Sequence, residues 1–176
     1  MAAVEATPAA PDGIRFTRTT EQAGIRFRHQ DGGSGRKYFV EVMGPGCGLF
    51  DYDGDGWQDI YLVNGGVLPG YKGPRPTNQL YRNNRNGTFT DVTTKAGVAG
   101  TGYGIGLCAG DYNNDGHTDF YVTQFGQNVL YRNNGDGTFA DVTAEAGVAA
   151  GGFSSGSAFA DYDADGLLDL YVSRYV

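Results

Sequence analysis

The chain is 176 residues long, with 40% hydrophobic and 13% aromatic residues, enough to bury a core and too many for an intrinsically disordered segment. No apolar run approaches the ~18 residues of a membrane-spanning helix, and the opening MAAVEATPAAPDG has neither the basic flank nor the apolar stretch of a secretory signal. Thirteen basic against 20 acidic residues leave a net charge of −7, the wrong sign for a nucleic-acid footprint.

Residues 1–13 are expected to form a disordered N-terminal segment, with the folded region running over 14–176. FTRTTEQAGI (16–25) is a partial early copy of FTDVTTKAGV (89–98), so the chain is expected to open on the last strand of a repeat. GCGLF (46–50) is short, apolar and followed by turn residues, which predicts a buried strand. The acidic window DYDGDGWQD (51–59) follows, then a second strand at DIYLV (59–63) and a Gly/Pro-rich surface loop at VLPGYKGPRP (67–76). NQLYR (78–82) and FTDV (89–92) are expected as strands three and four, joined by the tight turn NNRNGT. TTKAGV (93–98) reads as a short helical turn closed by Gly97.

The cycle then recurs. LYRNNRNGTFTDVTTKAGV (80–98) and LYRNNGDGTFADVTAEAGV (130–148) are identical at 14 of 19 positions, at an offset of 50. Strands are accordingly predicted at DFYVT (119–123), NVLYR (128–132), FADV (139–142) and DLYVS (169–173), with a turn ended by Gly147. Four antiparallel strands per ~50 residues is the unit of a propeller blade. The expectation is an all-β, incomplete β-propeller with about three blades, truncated at the C-terminus, and further blades of the same chain as its missing neighbours. A linear array of calcium hairpins is the less favoured alternative.

Charge is concentrated in three loops. Eleven of the 20 acids lie in windows 51–59, 111–119 and 161–169, and the other nine acids against 13 bases would give +4. Clustered carboxylates repel unless a cation sits between them. The pattern D-x-[DN]-x-D-G-x-x-D places oxygen ligands at alternate residues, with a glycine for the sharp turn (Gly56, Gly116, Gly166). The expected ligands are Asp51, Asp53, Asp55 and Asp59; Asp111, Asn113, Asp115 and Asp119; and Asp161, Asp163, Asp165 and Asp169. Trp57, His117 and Leu167 would add backbone carbonyls. Oxygen ligands without His or Cys side chains favour calcium, up to three ions, over zinc or copper. An EF-hand is excluded because position twelve is Leu62, Val122 or Val172 in place of a bidentate Glu, and because the flanks are strand-like. Asn113 removes one charge, so the second loop is expected to bind most weakly.

Cys47 and Cys108 are expected as two buried, unlinked thiols, since a one-residue offset in equivalent strands points them to opposite faces. His29 and His117 are the only histidines. His29 reads as a surface residue, and Glu41 with Lys37 as a solvated pair. Tyr52, Tyr112 and Tyr162 read as hairpin packing. No zinc HExxH or Walker loop occurs, and no catalytic or cofactor-binding residues are expected.

GLFDYDGDGWQDIYLVNGG, with NNxxGTFxDVTxxAGV after it, resembles the FG-GAP/VCBS repeats of integrin alpha-chain propellers. The stretch GIRFRHQDGGSGRKYFVEVMGPGCGLFDYDGDG (24–56) is similar to bacterial relatives of cartilage acidic protein. The resemblance implies a seven-bladed, calcium-stabilised propeller that is secreted, periplasmic or surface-exposed and serves adhesion or contact with a protein or glycan. Such proteins often carry a C-terminal ASPIC/UnbV domain, which is not within this sequence. The preferred functional expectation is a non-catalytic binding module without membrane insertion. The alternative is the scaffold part of a carbohydrate-active propeller enzyme such as a polysaccharide lyase.

Overall fold

The computed structural model describes residues 14–175, so the 1–13 segment expected to be disordered lies outside the described residues. The first repeat folds into β1 (Cys47–Phe50), β2 (Asp59–Leu62), β3 (Gln79–Asn83) and β4 (Phe89–Asp91), antiparallel neighbours in that order. The second gives β5 (Tyr103–Gly110), β6 (Asp119–Phe125), β7 (Val129–Asn133) and β8 (Phe139–Asp141), again paired in sequence. A third unit begins with β9 (Phe153–Ala160) and β10 (Asp169–Tyr175), tied to the second sheet by the single pair Phe125↔Phe153. The short α1 (Thr93–Ala96) ends at Gly97, whose φ of 76° is the left-handed stop that glycine adopts without steric cost.

Register makes each acidic window a hairpin connection. Phe50 pairs with Asp59, Gly110 with Asp119, and Ala160 with Asp169, so the first and ninth positions of every loop stand at the same strand junction. The DVT triplets have a mechanical role that periodicity does not show. Thr93 Oγ accepts the Leu80 N–H at 2.9 Å while Asp91 accepts the Thr93 N–H at 3.0 Å, and Thr143 with Asp141 repeats both bonds. Each triplet thereby closes β4 or β8 onto its neighbour.

Side chains alternate across the strands, so both faces of the central sheet are covered. Phe120 and Val122 of β6 pack with Phe50 and Tyr61 of the first sheet, whereas Tyr121 packs with Leu170 and Val172 of the third. This explains why six consecutive residues of β6 are buried. Tyr61 and Tyr121 hold equivalent places, each fully buried and donating its hydroxyl to a backbone carbonyl, Val98 or Val148. Tyr171, the third equivalent, is 70% exposed because no sheet lies beyond β10 among the described residues.

Several expectations are corrected. Residues 16–19 form no strand. The partial copy keeps only its turn, with Ile25 N–H on the Thr20 carbonyl as Val98 N–H is on Thr93, while Ala23 accepts the Phe89 N–H. Without adjacent strands to pair with, the extended half of the motif has no ladder to join. Strands β6 and β10 run two residues past their predicted ends, through partners on β5 and β9. Both cysteines are free, but Cys47 is exposed at the start of an edge strand, and only Cys108 is partly buried. Tyr52 is buried as hairpin packing requires, yet Tyr162 is 81% exposed, since its strand pair ends the described sheet. The 67–76 loop is irregular as expected, although Leu68 sinks into a small cluster with Val40, Tyr103 and Ile105. Among the described residues, no helix is long and apolar enough to cross a membrane.

Candidate metal centre

The three loops share one backbone design. Asp51 accepts the N–H groups of Asp55 and Gly56 at 3.0 and 2.7 Å. Asp111 does the same for Asp115 and Gly116, and Asp161 for Asp165 and Gly166. The glycines turn the chain with φ of 85°, 86° and 87°. Position four is left-handed as well, occupied by Gly54, Asn114 (φ 55°) and Ala164 (φ 62°). That second turn was missed in the sequence, although Gly and Asn at equivalent places were its signal.

Position nine is fixed most firmly. Asp59 is fully buried, with Oδ2 accepting the Tyr52 N–H at 3.0 Å and Oδ1 the Asn83 N–H at 2.7 Å. Asp119 is equally buried and accepts from Tyr112 and Asn133 at 3.2 and 2.7 Å. Burial pushes both carboxyls up to about 6, against the pull of those backbone donors, and the neighbouring loop carboxylates add to the rise. Asp53 is raised too, by burial first and then by Asp55 and Asp51. Asp169 is exposed, and Tyr162 N–H donates to it at 3.1 Å. The asparagines that clamp position nine were also missed, although the YRNN repeat that carries them was plain.

Oxygens on one calcium lie at most about 5.2 Å apart, twice its longest usual bond. Asp51, Asp53 and Asp59 each bring a carboxylate oxygen within 4.8 Å of the others, and Asp161, Asp163 and Asp169 do likewise. The donor set therefore fits a hard dication in the first and third loops. In the second loop, Asn113 bonds Asp115, donating from Nδ2 at 2.9 Å and accepting the Asp115 N–H on Oδ1 at 3.2 Å. Position five stands outside these convergent trios. Asp55 pairs with Arg85 at 2.7 Å, which holds its carboxyl below the usual range, and Asn113 lowers Asp115 in the same way. Asp165 accepts the Leu167 N–H at 2.8 Å. The side chains of Trp57, His117 and Leu167 are exposed, so any part they take in holding an ion falls to their carbonyls.

The family model for the FG-GAP-like repeat matches residues 51–122 and 111–172. The chain belongs to the FG-GAP-like repeat family. Each match begins on the first aspartate of an acidic loop and runs through the next one, so the unit recognised is the loop-and-blade cycle seen in the sheets. As a member, the chain is a β-propeller-like module of a kind suited to protein interaction. No curated protein matches it.

Proposed function

We propose that this chain is a calcium-ordered, non-catalytic binding module that works outside the cytosol, in adhesion or protein contact. One observation carries the reading: trios of carboxylates converge at the same strand junction in the first and third repeats. Asp51, Asp53 and Asp59 would hold one ion, and Asp161, Asp163 and Asp169 another; Asp111, Asn113 and Asp119 supply the weaker middle site. Calcium supplies charge neutralisation. This chain's own residues do the rest, because the bound loop locks the two strands that flank it. Buried Asp59 and Asp119 have little water to solvate their charge, and a dication replaces that solvation. Three ions would bring the net charge from −7 close to neutral.

The open face of β10 supports a further blade of the same repeat as neighbour. It exposes Tyr162 and Tyr171, whose counterparts Tyr52 and Tyr61 are buried by the following sheet. The test of the calcium reading is calorimetry of unfolding in calcium and after its removal. A ligand at one hundred times its Kd adds about 2.7 kcal/mol per site to a fold that alone binds it. A clear rise in Tm with calcium supports the reading, and coincident transitions overturn it.

A further inference from the structure

Two acidic loops meet at one side chain. Asn133 N–H donates to Asp119 Oδ1 at 2.7 Å, and Asn133 Nδ2 donates to the carbonyl of Tyr52, in the first loop, also at 2.7 Å. Nδ2 further reaches the Thr118 carbonyl at 3.1 Å, and Oδ1 accepts the Gly135 N–H at 3.0 Å. The residue is buried, and both ends of its amide are engaged. Tyr52 N–H in turn holds Asp59 Oδ2 at 3.0 Å. An unbroken hydrogen-bonded path thus runs from the Asp59 carboxylate through the Tyr52 residue and Asn133 to the Asp119 carboxylate. Asn83 has the same repeat position and the same clamp on its own aspartate, but its Nδ2 bonds only the Gln58 carbonyl among the described residues.

We propose that Asn133 is a positioning residue that couples the first two loops, so that an ion in one raises the affinity of the other. The inference rests on the calcium reading above. An ion that draws Asp51 and Asp59 together fixes Tyr52, which lies next to one and is bonded to the other. Its carbonyl then holds the Asn133 amide still, and with it the N–H aimed at Asp119. The second ion meets a loop that is already partly ordered, which is positive coupling without a change of fold. Linkage makes the effect reciprocal.

Trp57 is the only tryptophan and stands in the first loop, so terbium bound there reports itself by tryptophan-sensitised emission. Terbium is titrated into the native chain, D111N, N133A and the double variant. Disabling the second loop by D111N should weaken terbium at the first by about fivefold or more in the native background. In the N133A background the same change should have little effect. Equal shifts in both backgrounds, or none in either, overturn the coupling. Failure of the native chain to bind terbium or calcium at all overturns the calcium reading instead. Because Asn133 is buried, hydrogen exchange on D111N provides a measurement that needs no change at that residue. Calcium taken up by the first loop should slow exchange of the Asn133 amide severalfold, and unchanged exchange overturns the proposal.

Discussion

Phe120 is the residue on which cohesion between the first two sheets most depends. It is fully buried, with its ring 5.4 Å from Phe50, 4.7 Å from Tyr61, 4.9 Å from Tyr131 and 5.0 Å from Phe139. Truncation to alanine removes the ring and leaves a cavity bounded by four other rings, a change that costs about 3–5 kcal/mol. Loss of aromatic pairing adds about 0.5–1.5 kcal/mol per productive pair, so the expected total is at the top of that range or slightly above. Such a loss consumes much of a typical stability of about 5–15 kcal/mol. Phe120→Leu keeps most of the volume, and leucine already stands at the same repeat position as Leu170, so it should cost about 1–2 kcal/mol. Urea unfolding at fixed calcium reads both variants, as a lower midpoint with an unchanged m-value. A cost below about 1 kcal/mol for Phe120→Ala would refute the reasoning, since it would mean that the two sheets do not stabilise each other through this seam.

Asn113→Asp should tighten calcium binding at the second loop, because it frees position three from its amide bond to Asp115 and adds a carboxylate; titration calorimetry showing unchanged affinity would count against the ligand assignment. In calcium-free buffer the native Asp59 and Asp119 keep their protons up to about 6 while the unfolded chain loses them near the ordinary carboxyl value of 3.8. The folded state then holds more protons between those values, so stability should fall as pH rises from about 4 to about 6, by at most ~3 kcal/mol per residue. Unfolding midpoints that are flat or rising over that window would contradict it. Tyr121→Ala should cost about 3–5 kcal/mol, whereas Tyr171→Ala at the same repeat position should stay within about 0.5 kcal/mol; similar losses would show that the face beyond β10 is covered after all. Ala164 holds a left-handed φ of 62° on an exposed loop. Ala164→Gly should therefore raise stability by about 1 kcal/mol, and a lowered thermal midpoint would show that no strain was present.

Internal repetition specifies most of the architecture. The 50-residue offset, the apolar runs beside each acidic window and the Asn-Gly or Asp-Gly turns place eight of the nine predicted strands within a residue or two of their observed bounds, the exception being the strand expected to open the chain. They do so because hairpin chemistry and two-residue alternation act over neighbours in the chain. The same locality limits them. FTRTTEQAGI (16–25) has the letters of a last strand but no ladder, because strand structure needs a partner that a motif cannot supply.

The acidic loops divide along the same line. Residue type and spacing were enough to single out fifteen candidate positions, since alternate side chains and a turning glycine are local properties. Which oxygens converge is a matter of packing. Asp59 and Asp119 are buried and clamped by Asn83 and Asn133 from the next strand, while Asp55 is drawn away by Arg85, thirty residues distant in the chain. Tyr52 and Tyr162 have matching local sequences and opposite exposure, because burial depends on whether another sheet stands alongside. A repeat can specify each blade from within, but desolvation and the bonds that join one loop to another arise only when neighbouring blades come together.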